Sequence, residues 1–149
     1  MRPSRIATAT AALGLVSVLA GCGTSAEAEK SIADVRKSVD RIQGEMKLET
    51  EAVAARDARS EVESVRLVAQ LEAENLKKFA SRAPAETQEF ADAAQAWAEA
   101  VATSRAAIIT RAPEATSTAA MLTVRLNTKR MDEEAGELGI DPWLKLGDY

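Results

Sequence analysis

The sequence predicts an all-α protein, and three observations carry that prediction. Ala, Glu, Arg, Lys and Gln dominate the chain, and these residues favour helix. No Pro lies between Pro3 and Pro84, and Gly44 stands alone between Gly23 and Gly136. No segment sustains the alternation of β-branched and aromatic residues that a half-buried strand requires. The expected architecture is an elongated antiparallel helical bundle or helical hairpin with a long first helix. That gives three helices, or four if the first folds back near residues 47–52. At 149 residues the chain has room for one such domain beside a processed leader.

The leader comes first. Arg2 and Arg5 make a short basic start, Ile6 to Leu19 carry no charge, and small residues follow at Ala20 and Gly21. Basic, apolar, small is the order of a secretory signal peptide. The apolar run is about 15 residues, short of the roughly 20 that cross a bilayer. No basic stop-transfer cluster follows it: the outer flank carries Glu27 and Glu29. The stretch Leu19-Ala20-Gly21-Cys22 resembles the lipobox of bacterial lipoproteins, and Cys22 is the one cysteine of the chain. The resemblance covers residues 1–22. It implies that residues 1–21 are a signal peptide and that the Cys22 thiol takes a diacylglycerol. Cleavage then leaves Cys22 as the first mature residue. Two or more acyl chains anchor stably where one does so marginally. The implied location is the cell envelope, on the outer face of the cytoplasmic membrane, or an outer membrane where the source has one. Losing Arg2 and Arg5 takes the net charge from −4 to about −6.

Residues 22–25 read as a lipidated start and short linker, 26–139 as the helical bundle, and 140–149 as an apolar tail. Thr24-Ser25-Ala26-Glu27 has the form of a capping box. Ile32, Val35, Val39, Ile42 and Met46 then recur at helical spacing, as does Val53, with Glu49 and Arg56 interrupting the seam. A second seam holds Ala55, Ala58, Val62, Val65, Ala69, Leu76 and Phe79, two positions out of register with the first. Either one helix runs from about 26 to 81 with its seam moving around it, or the chain turns near 47–52. The absence of Pro and Gly at 47–52 favours the continuous helix, which Gly44 allows to bend. Pro84 and Pro113 punctuate the chain, since each disfavours helix at the residue before it. Between them lies a regular stripe of Phe90, Ala94, Trp97, Val101, Ser104 and Ile108. Beyond Glu114 the stripe is Ser117, Met121, Val124, Thr128, Met131, Ala135 and Leu138, with Leu122 and Leu126 beside it. Gly136 and Gly139 are candidate stops. Breaks this short imply antiparallel neighbours. In the tail, Trp143, Leu144 and Leu146 either cap the open end of the bundle or offer a strip to a partner.

The chemistry that is missing matters as much. The chain has no His, so His-based zinc, haem and triad sites are excluded, as are the Glu-x-x-His pairs of bundle diiron centres. No Gly-x-Ser-x-Gly elbow and no Gly-rich phosphate loop occurs. Asp132, Glu133, Glu134, Glu137 and Asp141 lack the ligand alternation and central Gly of a calcium loop, and read as a solvated face. Phe90, Trp97 and Met121 read as core rather than as a ligand box. An acidic balance with the pair Lys77-Lys78 as its main basic run does not make a nucleic-acid surface. The expected protein is therefore non-enzymatic, without a cofactor or metal, and held to a membrane by lipid. It presents helices to another envelope protein or to its own copy. The frequency of Ala on the seams, about a fifth of all residues, implies a thin bundle that a further helix could complete. Two alternatives are an accessory or ligand-sensing module of a transporter or secretion complex, and a structural wall-associated lipoprotein. Covalent wall linkage through a C-terminal Lys does not suit this chain, where Lys145 is internal and Tyr149 is last.

Overall fold

The computed structural model describes residues 25–55 and 58–140, and these fold into four α-helices. They are α1 (Ala26–Ala55), α2 (Arg59–Ala80), α3 (Gln88–Ile109) and α4 (Glu114–Glu137), with a 3-10 turn at Ala85–Thr87 before α3. The all-α class and the packed bundle stand as the sequence predicts. The long first helix does not. It is two helices, and α2 runs back antiparallel to α1: Ser64 on α2 donates to Glu45 on α1 at 2.7 Å, and Arg41 on α1 meets Glu72 on α2 at 2.8 Å. The reversal follows Ala55, later than the alternative position of 47–52. The physical cue is the register jump between the two seams. A single straight helix would have had to turn its apolar stripe away from the core, whereas two helices keep both stripes inward. Gly44 lies exposed within α1, which continues through it.

α1 and α3 run parallel, since Ser31 meets Thr87 at one end and Glu49 meets Arg105 at the other. α4 runs antiparallel to α3, with Arg130 on Glu89. The α1–α2 and α3–α4 connections therefore share one end of the bundle. The opposite end carries Ser25, the 81–87 linker and the exit at Ile140. Among the described residues the α4 backbone closely approaches α3 alone, while α2 lies against both α1 and α3. The bundle is thus open between α1 and α4.

Caps fix the ends. Ser25, not Thr24, caps α1: its hydroxyl accepts from the Ala28 amide at 3.1 Å and donates to Glu86 across the end of the bundle. α3 and α4 finish in the same motif. Ala112 N–H returns to Ala107 O and Ile140 N–H to Ala135 O, both at 2.9 Å, around a residue with positive φ. In α4 that residue is Gly139 at +68°, so Gly139 is the stop and Gly136 sits inside the last turn. In α3 it is Arg111 at +53°, a conformation a non-glycine residue adopts at a cost of about 1 kcal/mol.

Side chains from all four helices make one core. Its largest fully buried members are Trp97, Phe90, Ile42, Leu76 and Met131. Among the described residues, 11 of the 22 buried apolar ones are alanines. Their methyl groups let α3 approach its neighbours closely while burying little area each. At about 0.8 kcal/mol per buried methylene, an Ala site contributes much less than a Leu site. The few large residues therefore carry most of the apolar stabilisation.

Candidate interaction surface

Two buried carboxylates set the geometry of the helices. Glu49, which breaks the apolar seam in the sequence, points inward with a side chain 9% exposed. Arg105 of α3 donates to its Oε2 through Nε at 2.9 Å and Nη2 at 2.8 Å, and through Nη1 to Ser104 Oγ at 3.1 Å. This ties the last turns of α1 to those of α3. Glu72 is held between α2 and α1. Burial pushes its carboxyl upward, but hydrogen bonds from Ser38, Arg41 and Asn75, with the Arg41 charge, outweigh that and hold it below the ordinary Glu range. Both pairs escape sequence inspection because their partners lie 56 and 31 residues away.

The seams end unevenly. On α1, Val35, Val39, Ile42 and Met46 are buried, yet Val53 on the same stripe is 57% exposed. On α3, Phe90, Ala94, Trp97, Val101 and Ser104 are buried, while Ile108 is 46% exposed. On α4, Thr128, Met131 and Ala135 are buried, and Met121 is 50% exposed. Phe90 and Trp97 are core as expected, whereas Met121 is neither enclosed core nor part of a ligand box. All three half-exposed residues lie toward the end that holds the two helix connections. That end is the distal end, and the Ser25–Ile140 end is the proximal one. Outside the seams, Leu122 and Leu126 on α4, Leu67 and Leu71 on α2, and Leu48 on α1 are also more than half exposed. Single exposed leucines are ordinary, but inward-facing seam residues left open on three helices mark incomplete burial.

A cleft of about 310 Å³ opens between α3 and α4, lined in part by Ala100, Thr103, Ala120 and Asn127. Its polar groups are already spent on their own helices: Thr103 donates to Glu99 O, Thr123 to Ala119 O and Asn127 to Thr123 O. It offers little to orient a small ligand.

The acidic run on α4 does not converge. Glu133 pairs with Lys129 at 3.3 Å, and burial pushes the Asp132 carboxyl above its ordinary value. Among the described residues no group of three His, Cys, Asp or Glu side chains is placed to hold a metal ion, and no helix is long and apolar enough to cross a membrane. Leu19, Ala20, Gly21 and Cys22 lie outside the described residues, as do Asp141, Trp143, Leu144 and Leu146. Comparison with protein-family models, with curated proteins and with solved structures found no match.

Proposed function

We propose that this chain is a lipid-anchored, non-enzymatic protein of a bacterial cell envelope, and that the distal end of its bundle docks a helix of another envelope protein or of a second copy. The anchor rests on the order of charge, apolar run and small residues that ends in Cys22, the sole cysteine. The docking role rests on the half-exposed seam residues Val53, Ile108 and Met121. The two parts agree geometrically. Residue 22 lies three positions before Ser25, at the proximal end. α1, with its 30 residues, spans about 45 Å at 1.5 Å per residue. A chain tethered at Cys22 carries its open apolar end away from the lipid surface. A further helix laid against that end buries apolar side chains that the bundle itself leaves wet.

The test is site-specific crosslinking in intact cells, with a photoreactive residue at Ile108 or at Glu74, an exposed position on α2. A discrete product from position 108 and none from 74 is the expected result. Equal labelling at both, or none at 108, contradicts the docking role. The anchor is tested separately: Cys22→Ala abolishes incorporation of labelled fatty acid.

A further inference from the structure

The fold brings both ends of the described chain to one end of the bundle. Ser25 bonds Glu86 in the linker before α3, Arg130 near the end of α4 bonds Glu89 at the start of α3, and Ile140 packs against the core just beyond. The last nine residues, 141–149, therefore leave the bundle at the same end at which residue 22 enters it. Their sequence is Asp-Pro-Trp-Leu-Lys-Leu-Gly-Asp-Tyr. Two aromatics with polar edges, two leucines and a lysine in nine residues suit the boundary between headgroups and acyl chains, where one side of a ring is apolar and the other wet. The distal seam is a poor alternative host. Nine extended residues reach about 30 Å at most, whereas Ile108 and Val53 lie near the far end of a bundle about 45 Å long.

We propose that the C-terminal segment is a second membrane contact, with Trp143, Leu144 and Leu146 seated in the lipid interface beside the acyl chains of Cys22. This rests on the lipid-anchor reading above and deepens it: the acyl chains and the tail together hold the bundle by two points at its proximal end. Charge at this end is mixed, with Lys77, Lys78 and Arg82 exposed beside Glu27, Glu29 and Glu86. The contact is therefore apolar in origin and resists salt.

Residues 22–149 contain every contact of the described bundle, so this span serves for the test. Its Cys22 thiol is coupled to a maleimide lipid in phosphatidylcholine vesicles, which supplies a tether whether or not cells lipidate the residue. Trp97 is buried and Trp143 is the other tryptophan, so the difference between this chain and its Trp143→Phe variant isolates Trp143 emission. The expected result is emission characteristic of water before tethering. After tethering it shifts to shorter wavelength and is lost to lipids brominated near the carbonyls, unchanged at 1 M salt. Emission already shielded without vesicles means that the tail packs on the bundle, and overturns the proposal. So does emission that stays water-like after tethering, or a shift that salt abolishes. Failure here leaves the anchor untouched, because lipidation of Cys22 in cells is read by fatty-acid labelling.

Discussion

Removing Glu49 tests how the distal end is held. In Glu49→Ala the Arg105 guanidinium, 15% exposed as a side chain, keeps Ser104 as an acceptor and loses both bonds to the carboxylate. Breaking a fully buried ion pair from one side costs about 3–5 kcal/mol. Arg105 retains some water, which discounts the figure to about 2–3 kcal/mol. For a domain of this size that lowers Tm by roughly 10 °C. Arg105→Ala strands Glu49 in the same way. Replacing both with Leu removes the two charges together and fills the space, and should recover most of the loss, since apolar replacements of buried pairs are often neutral or better. The assay is urea and thermal unfolding of the parent, the two single variants and the double variant, followed by circular dichroism. Single variants within about 0.5 kcal/mol of the parent, the range of ordinary surface changes, would refute the claim that this pair pins α1 to α3.

Other expected outcomes concern caps, protons and the open seam. Arg111→Gly relieves a left-handed residue and should raise stability by about 1 kcal/mol, whereas Gly139→Ala imposes the same strain on α4 and should lower it by about as much; both are read by thermal melts. Glu72 titrates lower in the bundle than its ordinary 4.5. Its contribution is therefore complete above that range and disappears as pH falls through the lowered value, and Glu72→Gln should flatten this acid loss in a pH series of unfolding curves. Asp132 titrates above its ordinary 3.8, so its contribution is present below that value and lost as pH rises through the raised one. Asp132→Asn should be more stable than the parent at neutral pH and no more stable at pH 3. Ile108→Ser should change Tm by no more than a few degrees, because the residue is already half in water, yet remove crosslinking from neighbouring distal positions.

The helical spacing carried the core well where partners are many and local chemistry agrees. Phe90, Ala94, Trp97, Val101 and Ser104 are buried as their 4-3-4-3 spacing implies. Pro84 and Pro113 mark the two breaks that the structure has on either side of α3. The reversal after Ala55 was less legible, because neither Pro nor Gly signals it and good helix formers lie on both sides. The cue was the two-position jump between seams, which a drifting stripe on one helix also explains. Glu49 was misleading in isolation: a carboxylate on an apolar stripe reads as an interruption until Arg105 arrives from another helix. The open seam was hidden for a related reason. Val53, Ile108 and Met121 occupy proper seam positions, and their exposure follows from how far the four helices overlap at the distal end, a tertiary property that spacing along one helix does not encode.

The central claim, a bundle tethered outside the cytoplasm through one sulfur atom, is met most directly by the intact mass and N-terminal peptide of the chain purified from membranes. The account expects a chain that begins at Cys22 and carries a diacylglyceryl thioether. A chain that retains residues 1–21 with a free thiol at Cys22 would contradict it.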